Sequence, residues 1–530
     1  MSLRRRDEFE LQQQPAVSEP AAGFASIERK VPFDSVGKEG KIRAGKLAGL
    51  TMWHAIWVLT WPVLIESFLG SLVGLTDTTL AAGISEPATD AIGGTAYFMW
   101  FINLVGMALG IGATALIARS VGRGRLAVAN TVVGQAVYLG IYCGFAVAVV
   151  LLVLAPHIPT WFKLTGDARD MATMYLRLTA IAVPLQTLLS IGSSCHRGAG
   201  DALRPLLVMA LVNVLNVALS FILSGVDIGI AATNEAGDIY RKIIIANPFH
   251  FNLGLNGVAL GTTISWSLGG IIMLALLARG THGVRLTLRR LKPHWHTMRR
   301  LMRISLPNFF ETVGMWFGNI LMIWIVGQLA IPGILGAHIV AVRIEAFSFM
   351  PGFAVSMAAA TLAGQYLGAN NIALARKAVW RCTLIAGAIM GSLGLLFALR
   401  PVWVAGLLTQ QQTHLELIPT LLLTCGVVQI PFAMAIVFRS ALRGAGDTKV
   451  VMLLTWTSTF AIRLPLAWLF CGVEIPLPGG YVIPNPAPLQ THFNIHPLVG
   501  FWIGLCSELV IRGILFTSYF LTGRWTKVKV

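Results

Sequence analysis

Arg197-Gly198-Ala199-Gly200-Asp201 recurs letter for letter as Arg443-Gly444-Ala445-Gly446-Asp447, 246 residues further on. The same offset brings Gly122 onto Gly368, Ala127 onto Ala373 and Ala129 onto Ala375. An offset of 245 brings Pro62-Val-Leu-Ile-Glu66 onto Pro307-Asn-Phe-Phe-Glu311. One shared pentapeptide is within reach of chance; ordered matches across a whole half mark an internal duplication. The chain therefore consists of two halves of one design, and its fold follows from what each half contains.

Each half contains six apolar stretches. They run roughly over 54–82, 92–117, 128–154, 171–195, 206–226 and 255–278, then over 305–329, 334–362, 378–399, 415–438, 450–472 and 497–521. Each is near the ~20 apolar residues that cross a bilayer as a helix. Composition agrees: of 530 residues 55% are hydrophobic and only 12% charged, against about 25% charged in soluble domains, and mean hydropathy is +0.72. A soluble fold of this length could not cover so much apolar sequence. A closed β-barrel is the other structure that satisfies its backbone in lipid, but its alternating ten-residue strands are absent. The sequence predicts an all-α polytopic membrane protein of twelve transmembrane helices in two six-helix lobes. An even number of spans per half makes both halves enter from one side, so the lobes are related by an axis along the membrane normal.

The formal net charge of +17 invites a nucleic-acid reading, which its distribution argues against. With the N-terminus inside, the inner segments hold 31 Lys and Arg and the outer loops five: Lys163, Arg169, Arg241, Lys242 and Arg400. Four more, Arg177, Arg343, Arg463 and Arg512, fall within spans. This is the positive-inside bias and puts both termini in the cytoplasm of a plasma (inner) membrane. The expected division is a polar disordered tail over 1–50, an N-terminal lobe over 51–278, a basic linker over 279–303, a C-terminal lobe over 304–523 and a short tail over 524–530. Leu3-Arg4-Arg5-Arg6 is either solvated or a contact for anionic lipid. Two long outer loops, 227–252 and 473–496, fall at matching places in the halves.

The six cysteines lie in or beside spans without CxxC spacing and read as inert buried thiols. His294-Trp295-His296 lacks further ligands and reads as ordinary loop. The RGAGD segments read as tight connectors, not phosphate cradles, with Asp201 and Asp447 as N-caps of the following helices. No GxSxG, HExxH or P-loop lysine motif occurs, so no cofactor and no soluble-type catalysis are expected. A membrane-embedded enzyme would need clustered acids or histidines; Glu474, His492 and His496 lack that spacing.

What remains are charges inside spans, each costing about 2.5–3.5 kcal/mol at a helix centre on insertion scales. Glu66 and Asp77 are eleven residues apart, which puts them within roughly 20° of one helix face and about 16 Å apart along it. They are candidate steps for an ion or proton; alternatively Glu66 is a hydrogen-bonding group between lobes. Glu311 is the repeat partner of Glu66, with Met315 and Trp316 one turn on, a set suited to organic cations. The repeat partner of Asp77 is Met322. Glu508 and Arg512 have the spacing of an ion pair along one helix, Arg343 and Glu345 do not face each other, and Arg463 must reach another helix or water.

With Pro62, Gly74-Leu-Thr-Asp77-Thr, both RGAGD turns, Gly336-Ala-His338-Ile-Val-Ala-Val-Arg343-Ile-Glu345 and Arg463-Leu-Pro465, the chain resembles the multidrug and toxic compound extrusion (MATE) family over nearly all of residues 50–523. The resemblance implies two lobes that rock between inward and outward states and export cationic or amphipathic compounds against sodium or protons. It maps the family's first-helix acid onto Asp77, an asparagine of its ion site onto Asn216, the acid four residues later onto Ser220, a departure, and a threonine onto Thr263. The family's usual span 7 acid lies near Met315, so Glu311 is a shifted substitute, and Pro431-Phe432-Ala433 replace a span 10 acid.

The expected function is thus a cation-coupled antiporter for small organic compounds, acting as a monomer in the bilayer. A flippase for lipid-linked oligosaccharides, which calls for a strongly cationic cavity, is the alternative within transport. Protons are favoured over sodium: a dry sodium site normally supplies more than one negative charge, while a proton needs one carboxylate, and burial favours the neutral form of such a group.

Overall fold

A computed structural model describes residues 46–47, 49–233, 239–249, 251–280, 283–409, 411–476, 481–486 and 495–528. The tail expected over 1–50 falls almost wholly outside them, as do Leu3-Arg4-Arg5-Arg6 and His492. In chain order the first half comprises α1 (Met52–Ile84), α2 (Glu86–Gly122), α3 (Leu126–Leu154), the single turn α4 (Ile158–Trp161), α5 (Gly166–Gly198) and α6 (Leu203–Ser224). Strands β1 (Ile228–Thr233) and β2 (Ile239–Ile245) and helix α7 (Leu255–Arg279) complete it. The second half comprises α8 (Trp295–Gln328), α9 (Ile334–Gly368), α10 (Ile372–Leu399), α11 (Pro401–Gly406), α12 (Gln412–Val427) and α13 (Gln429–Gly444). It continues with α14 (Thr448–Trp456), a π-helical turn (Thr457–Arg463), α15 (Leu464–Cys471), strands β3 (Ile475–Pro476) and β4 (Val482–Ile483), and α16 (Pro497–Leu521).

Among the described residues eleven helices are long and apolar enough to cross a membrane, with α14, the π turn and α15 counted as one. The pair α12 and α13, bent by 57°, makes the twelfth. The duplication is visible in the helix ends. α2 and α9 end at Gly122 and Gly368, α3 and α10 start at Leu126 and Ile372, and α5 and α13 end at Gly198 and Gly444. Each pair keeps the 246-residue offset of the sequence repeat. The helices outrun the apolar stretches because polar caps extend them. Ser85 accepts the Ala88 N–H at the start of α2, and His294 accepts the Thr297 N–H at the start of α8, as side-chain caps do. His294 is thus a helix cap, and α8 begins inside the stretch expected to be linker. That linker is strapped to α3: Gln135 donates to the carbonyls of Arg290 and Lys292, and Asn130 to that of Gly283.

Both long loops contain a two-stranded antiparallel hairpin, β1 with β2 and β3 with β4. Helices α1–α3 and α5–α7 form one lobe, α8–α10 and α12–α16 the other. The lobes interlock at the RGAGD end. There Leu47, Met52, Ile56 and Ala202 share a core with Ala358, Leu362 and Tyr366 of α9. A Cβ at Gly122 of α2 would lie 2.0 Å from the Gln365 carbonyl oxygen of α9, so only glycine permits this approach. At the hairpin end each lobe keeps its own core, one around Leu80, Tyr175 and Val258, the other around Met322, Ile418 and Trp502.

Candidate functional site

Asp77 lies near the hairpin end of α1 and is only 5% exposed. Three further helices meet it. The Tyr175 hydroxyl of α5 donates to its Oδ2 at 3.2 Å. The Thr262 hydroxyl of α7 lies 3.1 Å from Oδ2 and 3.3 Å from Oδ1. Asn216 of α6 donates through Nδ2 to Thr262 Oγ1 at 2.9 Å, and its Oδ1 is buried without a hydrogen-bond partner among the described residues. Small residues of α7 make the cluster reachable: a Cβ on Gly261 would lie 2.5 Å from the Ser220 backbone nitrogen. This is the close helix approach that small residues four apart allow in membranes, Gly257 being the other.

Two sequence expectations change here. The threonine at Asp77 is Thr262; Thr263 points the other way and donates to the Leu178 carbonyl at 3.0 Å. Adjacent helix positions are 100° apart, and only the turn facing α1 decides between them. Ser220 is buried one turn from Asn216, but its hydroxyl faces the Val258 carbonyl at 3.4 Å, not Asp77. Tyr175 was missed: a lone tyrosine in an apolar span carries no signal of its partner.

Glu66 does not stand free as a proton step. Its Oε1 is ion-paired with the guanidinium of Arg197, the arginine of the first RGAGD. The repeat partners do the same. Glu311 is 0% exposed, and Arg443, of the second RGAGD, reaches its Oε2 at 2.7 Å. Arg439 reaches Oε1 at 2.7 Å and the Thr455 hydroxyl reaches it at 2.8 Å. Glu311 is therefore enclosed rather than facing an open cavity, because a carboxylate buried this deeply persists only with its charge answered. Met315 is tied to the same network, its sulfur lying 2.9 Å from Arg439 Nη2, while Trp316 is half-buried beside it. The signal for these pairs was in the sequence: both halves repeat the acid and both repeat the arginine.

A second ion pair is buried in the C-terminal lobe. Glu508 and Arg512 pair at 2.6 Å along α16. The π turn brings Ser458 onto the Glu508 carboxylate and Thr459 to 3.0 Å from Arg512 Nη2. Arg463 reaches Asn319 of α8 at 3.4 Å, and Glu345, buried on α9, forms no ion pair among the described residues. Arg343 is exposed on another face of α9. Met322, where the repeat places the partner of Asp77, is packed in apolar core. Among the described residues, the side chains gathered at Asp77 are two hydroxyls and an amide.

The MatE family model matches this chain twice, over residues 62–222 and 307–469. A probable multidrug resistance protein NorM from Thermotoga maritima is 26% identical over 480 residues, covering 88% of this chain and 92% of that protein. Another from Mesorhizobium japonicum is 24% identical over 91% of this chain and 97% of its own length. Among solved structures, an outward-facing multidrug resistance MATE family transporter of the MOP superfamily superposes with a TM-score of 0.76 at 19% identity, over 89% of this chain and 96% of that one. A MATE crystallised in complex with MaL6 also superposes with a TM-score of 0.76, at 19% identity.

Proposed function

The chain belongs to the MatE family of membrane transporters, and from that premise we propose that it is a proton-coupled antiporter that exports small organic compounds by alternating access. It is a transporter and not an enzyme. Asp77 is the proposed coupling acid. The observation that carries this is its setting: a buried carboxylate with two hydroxyl neighbours and no ion pair among the described residues. Such a group changes charge when it takes up or releases a proton, whereas Glu66, Glu311 and Glu508 are held by arginines. Asn216 and Thr262 set the carboxylate's orientation; sodium bound by Asp77 and Asn216 Oδ1 is the competing reading.

Of the two cargo classes, amphipathic compounds are favoured over strongly cationic ones. The acid suited to attracting cations, Glu311, is neutralised by Arg439 and Arg443. The exposed face of α8 is apolar and aromatic, with Phe310, Phe317 and Trp324. The relatives named as multidrug resistance proteins support the same reading. The second arginine on Glu311 keeps the flippase alternative in view, since it leaves positive charge in that lobe.

We place both termini and the RGAGD end in the cytoplasm of the plasma membrane, on the 31-to-5 charge distribution. The lobes are then closed towards the cytoplasm. Cysteines introduced at Pro87 and Lys292 are expected to label from outside and inside respectively. Labelling of both from one side overturns the orientation. For the function, the protein in liposomes is given an imposed pH gradient and a panel of neutral, amphipathic and cationic compounds, with a fluorescent lipid-linked oligosaccharide alongside. Gradient-driven movement of the amphipathic compounds is expected; movement of the oligosaccharide lipid alone establishes the flippase instead.

A further inference from the structure

On α1, Trp53, Trp57 and Trp61 recur every four residues and so run down one side of the helix. On α10, Lys377, Arg381, Ile385 and Ile389 recur at the same spacing, two cations followed by two apolar residues. Between the two helices lies a groove of about 480 Å³, lined by the three tryptophans and Leu64, by Ile385 and Ile389, and by Pro351 of α9. The lining is apolar apart from His54 and Thr60. Trp53 and Trp57 are 50% and 65% exposed, far more than an interior position would leave them.

The groove runs from Trp53 to Leu64, eleven residues along α1, which is about 16 Å of helix rise. Half of the ~30 Å hydrocarbon core of a bilayer is about 15 Å, so the groove has the length of an acyl chain in one leaflet. Its Trp53 end carries charge. The Arg381 guanidinium carbon lies 4.7 Å from the centroid of the Trp53 ring. Neither Arg381 nor Lys377 makes a hydrogen bond or an ion pair among the described residues. Arg381 is half-buried nine residues past the start of α10. A cation this far along a span calls for a counter-charge, and the face of one indole answers it only in part.

We propose that this groove is a binding site for an anionic phospholipid, with an acyl chain lying along the tryptophans and the phosphate meeting Arg381 and Lys377. Tryptophans gather where bilayer meets water, and basic pockets between spans bind anionic headgroups. Guanidinium groups are well matched to phosphate oxygens, and the Trp53 ring fixes where this one sits. A concave wall, a length matching one chain and unanswered positive charge at the Trp53 end set the groove apart from the ordinary lipid-facing surface. Its walls come from both lobes, α1 from one and α9 and α10 from the other. A lipid seated here therefore bridges the lobes on the RGAGD side, where they interlock. The choice of the cytoplasmic leaflet rests on the proposed orientation; the binding itself rests neither on that nor on proton coupling.

The test is thermal unfolding of the purified full-length protein in neutral detergent, titrated at matched ionic strength with phosphatidylglycerol, phosphatidylcholine, glycerol 3-phosphate or a neutral amphipathic compound. Saturable stabilisation by phosphatidylglycerol is expected, at a midpoint roughly tenfold or more below that of phosphatidylcholine. Glycerol 3-phosphate, which has the phosphate without the chain, is expected to give none. In Lys377→Gln/Arg381→Gln the phosphatidylglycerol midpoint is expected to rise to that of phosphatidylcholine; neither side chain is buried, so folding is not at issue. Ile389→Trp, which fills the groove, is expected to weaken the response to both lipids. Arg125→Gln/Arg289→Gln, which removes two exposed cations outside the groove, is expected to leave the midpoints in place. Equal midpoints for the two lipids in the wild type, or the same rise in both double variants, overturns the proposal in favour of general lipid contact. Stabilisation by the neutral compound that Ile389→Trp abolishes, with none by phosphatidylglycerol, overturns it in favour of a cargo site.

Discussion

The two lobes descend from one design and handle buried charge in opposite ways. Both keep an ion pair between the first-helix acid and the RGAGD arginine, Glu66 with Arg197 and Glu311 with Arg443. Beyond that pair they diverge. The C-terminal lobe adds Arg439 to Glu311 and couples Glu508 to Arg512, and its helices bend between α12 and α13 and contain a π turn. The N-terminal lobe keeps α5 and α6 unbroken and holds Asp77 among Tyr175, Thr262 and Asn216. One lobe surrounds its first-helix acid with two arginines; the other holds a second buried acid among hydroxyls and an amide.

Asp77→Asn is expected to have the largest effect. It keeps the shape and loses the titratable group, so export falls to background while the protein inserts and folds. Substantial export by this variant would remove Asp77 from the mechanism. Next comes Glu311→Gln, which leaves Arg439 and Arg443 facing each other in the interior. Losing one partner of a buried pair costs about 3–5 kcal/mol, so a large drop in unfolding temperature is expected. Glu66→Gln, at a partly exposed pair, is expected to cost clearly less, and equal drops would erase the contrast between the lobes. Smaller still is Thr262→Val, which removes the hydrogen bond to Asp77 and the one from Asn216, each worth about 1 kcal/mol, and shifts the pH dependence of transport. Thr263→Val, which faces Leu178, should leave that profile in place. Ser220→Ala is expected to be close to silent in transport, and a loss comparable to that of Asp77→Asn would bring Ser220 into the site.

Much of this was legible in advance because hydropathy, charge asymmetry and the repeat all constrain the same architecture. Twelve spans and their pairing follow from apolar length and from the 246-residue offset, and the helix ends keep that offset. The helix lengths were less legible, since caps such as Ser85 and His294 extend helices into polar sequence. The bend after Val427 has a sequence cause: Pro431 cannot donate to the Val427 carbonyl and its ring crowds it. Yet Pro184 in α5 breaks nothing, so proline alone did not predict the bend. The site was half legible. Asp77 and Asn216 stand together as the resemblance implied, but the choice of Thr262 over Thr263 and the arrival of Tyr175 depend on helix rotation. Glu311 was misplaced for a physical reason: an acid in a span signals a partner or a purpose, and sequence spacing did not reveal that two arginines from α13 provide the partner.

The central claim is that Asp77 alone carries the coupling charge and that the charge is a proton. The most direct measurement is export from liposomes under a pH gradient without sodium, set against a sodium gradient at equal pH, for the wild type and Asp77→Asn. The account predicts that the pH gradient alone drives export in the wild type, that the sodium gradient alone does not, and that Asp77→Asn responds to neither. Export driven by sodium at equal pH, and lost in Asp77→Asn, would contradict it and assign the carboxylate, with Asn216 Oδ1, to a sodium site.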